Sequence, residues 1–141
     1  MFDRYDEVAF VGATLGPLFP ADASSACHVA TFAALDVDAA AAEWPFVAEE
    51  RARKSLAAMR EGAEDADSEA LVWEYRRLFV GPGAMPVPPW GSVYTDRECV
   101  VFGEATLALR SWMRRNGIAR QGAEKTPEDH IGLMLLLMAW I

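Results

Sequence analysis

The residues of this chain best suited to chemistry stand together at Thr126-Pro127-Glu128-Asp129-His130. Two carboxylates beside one imidazole could move a proton, and either carboxylate could hold a cation. The same five residues also fit the start of a helix. Thr126 suits an N-cap with Pro127 at the first helical position, and Asp129 stands where a capping box has Glu or Gln. Glu128 then favours the positive end of the helix dipole. Little else is reactive. The histidines are His28 and His130 and the cysteines Cys27 and Cys99, with no paired-cysteine or metal-ligand spacing. Both thiols read as core groups in a reducing compartment. Gly81-Pro82-Gly83 lacks a following Lys-Ser/Thr, so it is no phosphate cradle, and no G-x-S-x-G or H-E-x-x-H occurs. No metal or cofactor is indicated.

A second stretch could bind rather than react. From Leu78 to Tyr94 the chain reads Leu-Phe-Val-Gly-Pro-Gly-Ala-Met-Pro-Val-Pro-Pro-Trp-Gly-Ser-Val-Tyr. Proline locks φ and removes a donor, so Pro86 to Pro89 can be neither helix interior nor central strand. Met85, Val87, Trp90 and Tyr94 are too apolar for a solvated linker. The stretch is therefore a rigid loop that packs back onto helices or stays partly open as a binding surface, with Trp90 aimed by Pro88-Pro89.

The elements that position these residues read as helices. Phe2 to Leu15 has a stripe of Tyr5, Val8, Ala9, Phe10 and Leu15, with Asp3, Asp6 and Glu7 at its start. Gly16-Pro17 breaks it. Asp22 suits the cap of a second helix reaching Leu35. Asp36 or Asp38 suits the cap of a third, Ala39 to Trp44, ended by Pro45. Phe46 to Arg60 is a charged amphipathic helix with Phe46, Val47, Leu56 and Met59 turned inward, and Gly62 to Asp67 a polar turn. Ser68 to Val80 puts Leu71, Tyr75, Leu78 and Phe79 on one face. Ser92 to Val101 reads as a short extended piece. Phe102 to Asn116 carries the stripe Phe102, Ala105, Thr106, Leu109, Trp112 and Met113, with Gly117 as the C′ residue. Periodicity near 3.6 recurs and alternation hardly appears, so the expected class is all-α.

The last helix is apolar on every side from Ile131 to Ile141 and has no polar final turn. Such a helix is surrounded by other elements. The expectation is that residues 1–141 form one helical domain that is incomplete at the C-terminal end. The helix would then be covered by further residues, by a partner chain in a homo-oligomer, or by elements exchanged between copies.

Composition narrows the function. With 141 residues, 52% of them hydrophobic, the chain falls in the one-domain range and can bury a core. Its longest apolar run, Ile131 to Ile141, is shorter than the about 20 residues of a membrane span. The N-terminus is acidic, unlike a secretory signal. Residues 1–70 hold 14 acids and 5 bases (−9), residues 71–141 hold 7 acids and 8 bases (+1). An acidic half opposes nucleic acid and suits a cationic partner.

Four motifs in order carry a family resemblance. They are Tyr75-x-x-Leu78-Phe79-Val80-Gly81-Pro82, Pro88-Pro89-Trp90-Gly91-Ser92-Val93-Tyr94, Phe102-Gly103-x-x-Thr106-Leu107-x-Leu109-Arg110, and Pro127-Glu128-Asp129-His130. Together they closely resemble the TorD/DmsD family of cytoplasmic redox-enzyme maturation chaperones, nearest its DmsD branch. Residues 1–70 match loosely, through Glu43-Trp44-Pro45, and depart at Leu15-Gly16-Pro17-Leu18-Phe19. The resemblance implies an all-α bundle with more C-terminal helices, and a cytoplasmic binding protein rather than an enzyme. It implies a partner, the twin-arginine leader of a molybdopterin-containing oxidoreductase together with its apo-form, held until cofactor insertion and folding are complete. The residues implicated by the resemblance are Tyr75, Leu78, Phe79, Pro89, Trp90, Asp129 and His130. An apolar groove with carboxylates beside it would suit such a leader, and Glu128 joins Asp129 as the second acid. Two alternatives stand beside it. One is a nitrate-reductase-type assembly chaperone that binds the apo-enzyme rather than its leader. The other is a small helical enzyme or nucleotide binder using Asp129 and His130.

Overall fold

The fold is given by a computed structural model that describes residues 3–20, 26–65, 68–121 and 125–141, the side chains of 26–28 excepted. Helix α1 (Arg4–Leu15) is capped by Asp3, and Phe2, the expected start, lies outside the described residues. The Asp3 backbone is extended, and Asp3 and Asp6 form a capping box in which the Asp3 N–H donates to Asp6 Oδ2 at 3.2 Å. A 3-10 turn (Gly16–Leu18) follows directly. Helix α2 is Ala26–Ala33, and the expected cap Asp22 lies outside the described residues. Helix α3 (Val37–Glu43) is capped by Asp36, whose carboxylate accepts from Ala39 N at 3.1 Å. It stops at Trp44, because the residue before Pro45 is pushed out of the helical region. Helices α4 (Glu49–Glu64), α5 (Glu69–Phe79), α6 (Ser92–Thr95), α7 (Glu104–Arg115) and α8 (Ile131–Trp140) complete the chain. Among the described residues there is no strand, only one antiparallel bridge between Trp90 and His130. The class is all-α.

Several local expectations are corrected. Phe46 does not open α4: it sits at φ 69° and is exposed, as is Val47. The preceding proline and the left-handed residue delay the helix to Glu49, so only Leu56 and Met59 of the expected face turn inward. Helix α4 also runs on to Glu64, through the stretch expected as a turn. Tyr5 and Phe10 of the α1 stripe are exposed, and Phe10 lies edge-on to Trp44 with ring centroids 5.4 Å apart. Residues 92–101 are not extended, since α6 forms one helical turn there. Phe102 precedes α7 at φ 67°. Cys99 is exposed at φ 52°, so it is no core thiol; the Cys27 side chain lies outside the description. Thr126 does not cap the last helix and Asp129 is not its N3 residue. Helix α8 begins at Ile131, and its cap is His130, whose Nδ1 accepts from Gly132 N at 3.2 Å.

Two packings organise the molecule. Ala41, Ala52 and Leu56 form a buried core between α3 and α4, flanked by Leu35, Val37, Trp44 and Met59, and α2 rests on α4 as well. In the other, α1 and the 3-10 turn lie against α8. Glycine permits that approach. A Cβ at Gly132 would meet Gly16 O at 2.7 Å, and one at Gly16 would meet Leu136 Cγ at 2.8 Å. At Gly12 it would run into the Leu135 carbonyl oxygen.

Candidate functional site

The proline loop ends as a clasp. Pro89 to Gly91 run antiparallel to Asp129–Ile131. The Gly91 N–H donates to Asp129 O (3.0 Å), and the Ile131 N–H donates to Pro89 O (2.7 Å). The Asp129 side chain adds a third bond, Oδ2 accepting from Ser92 N at 2.8 Å. Proline suits this edge because its missing donor is not needed there. Upstream, the Tyr94 hydroxyl donates to Pro88 O at 2.9 Å and ties the loop to α6. Trp90 and His130 thus meet across 40 residues, rings edge to face with centroids 5.8 Å apart. His130 and Asp129 are buried, Pro89 is buried, and Trp90 is half-buried. Because His130 Nδ1 accepts a backbone proton, the neutral ring carries its own on Nε2.

Polar atoms collect around the clasp. Trp90 Nε1, Ser92 Oγ, Thr106 Oγ1 and Asp129 Oδ1 are buried with no hydrogen-bond partner among the described residues. Glu128 faces another way. Its two oxygens take Arg110 Nε (3.0 Å) and Nη2 (2.7 Å) in a bidentate pair, and the Arg110 guanidinium lies 4.7 Å from the centroid of the Phe102 ring. Burial pushes the Glu128 carboxyl up. The Arg110 bonds, its own backbone and the Arg110 and Arg120 charges outweigh that and hold it below the ordinary carboxylate range. Arg110 is shifted upward by the same pair.

The eight residues expected at the site fall into two neighbouring groups. Pro89, Trp90, Glu128, Asp129 and His130 gather at the clasp. Tyr75, Leu78 and Phe79 instead line an open apolar pocket of about 280 Å³, together with Leu18, Phe32, Met59 and Leu71 from the 3-10 turn, α2, α4 and α5. Phe19 and Pro20 connect the groups. The Tyr75 hydroxyl donates to Phe19 O (2.8 Å), and the Phe19 ring meets Phe79 edge-on at 6.0 Å. On the other side, Pro20 and Phe19 abut Gly132, two residues from His130. Sequence reasoning missed Ser92, Arg110 and Phe19 as parts of the site. The spacing Gly12-x-x-x-Gly16 was a readable signal for a close helix contact; nothing local marked the partners of Ser92 or Arg110.

Fold and geometry together define an all-α protein with an aromatic, proline-framed clasp. The family model described as nitrate reductase delta subunit matches residues 47–141. The Tat proofreading chaperones DmsD of Salmonella typhi and of Salmonella typhimurium are each 43% identical over 140 residues, 99% of this chain and 66% of theirs. The chaperone protein TorD of Aliivibrio fischeri is 28% identical over 75 residues, 53% of this chain and 34% of its own length. The chain belongs to the TorD/DmsD family, on its DmsD branch. It spans just under two thirds of the DmsD relatives it matches. Among the described residues no helix is long and apolar enough to cross a membrane.

Proposed function

We propose that this chain is part of a cytoplasmic redox-enzyme maturation chaperone, a binding protein rather than an enzyme. Its client is a molybdopterin-containing oxidoreductase of the dimethyl sulfoxide or trimethylamine N-oxide reductase type. It binds the client's twin-arginine leader and delays export until cofactor insertion and folding are complete. The observation that carries this reading is the clasp, which sets Trp90 against His130 through three bonds between segments far apart in sequence. An aromatic held in that way loses little conformational entropy on binding. The adjoining apolar pocket at Tyr75, Leu78 and Phe79 suits side chains from the leader's apolar stretch. Names of the DmsD relatives, Tat proofreading chaperones, support the same role.

The test is leader-peptide titration of the Trp90→Ala variant alongside its thermal melt. Anchoring aromatics cost about 2 kcal/mol or more on truncation, so affinity should fall more than tenfold. A large drop in Tm with unchanged affinity would instead make Trp90 a packing residue and end this reading. The family model's own description, nitrate reductase delta subunit, favours the second reading, an assembly chaperone for the apo-enzyme. Binding of the mature apo-subunit but not of the isolated leader would select it.

A further inference from the structure

We infer that Arg110 is a stand-in for an arginine of the leader, holding Glu128 until the client displaces it. This rests on the leader-binding reading above. In the structure neither carboxylate of the Glu128-Asp129 pair is openly offered. Asp129 uses Oδ2 on Ser92 N, and its other oxygen is buried. Glu128 uses both oxygens on Arg110, in the two parallel bonds by which a carboxylate best holds a guanidinium. That geometry is the one an incoming arginine would need, and Arg110 already fills it.

The surroundings explain why a resident cation is required. The Glu128 side chain is 16% exposed and Arg110 37%. A carboxylate so far out of water is costly to hold unpaired. A site built to read arginine must therefore be neutralised while the client is absent. Arg110 does this from α7, at the outer edge of the pair, with its guanidinium over the Phe102 ring. Phe102 is itself exposed, so the ring offers Arg110 a resting surface when Glu128 is taken. Exchanging one guanidinium for another conserves charge and hydrogen bonds. The leader gains selectivity from the exchange but little free energy, which suits a peptide that must later be released. A lysine at the leader position would exchange poorly, since it cannot form the two parallel bonds.

The experiment measures leader affinity in the full chain for wild type, Arg110→Gln, Arg110→Lys, Glu128→Gln and the double variant Arg110→Gln with Glu128→Gln. Two peptides are used, a twin-arginine leader and the same leader with both arginines replaced by glutamine. Removing the competitor should tighten the twin-arginine leader about fivefold, in proportion to the modest strength of a half-exposed pair. The glutamine peptide should not respond. In the Glu128→Gln background the Arg110→Gln change should have no effect. Arg110→Lys keeps the charge and gives a smaller gain of about twofold, because one parallel bond is lost; it carries the test if Arg110→Gln does not fold. Weaker or unchanged binding of the twin-arginine leader in both Arg110 variants overturns the exchange and makes the pair a structural tie between α7 and the approach to α8. If the wild-type chain binds neither peptide, it is the leader-binding reading itself that fails.

Discussion

Glu128 and Asp129 are neighbours in sequence with separate tasks, and the difference comes from which long-range group each meets. Glu128 faces a guanidinium, whereas Asp129 faces the backbone of the proline loop. Asp129 thus positions Trp90 by holding the next residue but one. Asp129→Ala would strand the buried Ser92 N–H, at about 1–3 kcal/mol. Asp129→Asn keeps an acceptor for that N–H and should cost less than half as much. Urea denaturation of the two variants checks this. Equal losses would mean that the carboxylate's charge, not its acceptor, holds the clasp. His130 is held just as locally, its Nδ1 capping α8, so its ring direction and its tautomer are set by the same turn.

At the scale of elements, the contact of α1 and the 3-10 turn with α8 depends on absent side chains. Gly132→Ala would put a methyl 2.7 Å from a backbone oxygen that cannot swing aside. Overpacking of this kind costs about 1–3 kcal/mol, more than the helix-propensity gain of about 0.5–1 kcal/mol from Gly to Ala. Gly62, near the end of α4, has nothing within 4 Å of a built Cβ. Gly62→Ala should therefore raise Tm while Gly132→Ala lowers it. Thermal melts that moved in the same direction for both would contradict the close packing. Helix α7 shows a similar dependence on a distant group. Its start is held by Asp96, whose two oxygens accept from Ala105 N at 3.1 Å, with Gly103 leaving room for the carboxylate.

Over the whole molecule, charge and apolar surface are unevenly placed. The first 70 residues carry −9 and the remaining 71 carry +1, an imbalance whose field favours a basic partner over an acidic one. The outer side of α8 exposes Met138 (46%), Trp140 (68%) and Ile141 (74%). Burying such side chains is worth about 1.5–3 kcal/mol each. The 141-residue chain alone in solution is expected to cover this face with a second copy, giving a sedimentation weight above the monomer. Met138→Glu with Trp140→Glu should return it to a monomer. A monomeric wild-type chain at high concentration would remove this expectation.

The sequence by itself determined the class, most helices and the character of the loop. Period-3.6 stripes, Asp36, Pro45 and Gly117 are local signals, and they act within a turn of the residues they control. So does the shared face of Tyr75, Leu78 and Phe79, which the tertiary structure keeps together. Only the tertiary structure decided the start of α8, because Thr126 could cap a helix in principle, yet the chain turns at Glu128 and Asp129, the His130 N–H donating to Pro127 O at 3.2 Å, and the antiparallel bonds to Pro89 and Gly91 hold His130 extended and defer the cap to it. The same holds for Phe46, Phe102 and Cys99, whose positive φ angles are set by where the chain must turn and not by their own preferences. Trp90 and His130, Ser92 and Asp129, and Arg110 and Glu128 lie 18 to 40 residues apart. No short-range pattern encodes such pairs, since their partners are fixed by how helices cross and loops close after the local structure has formed.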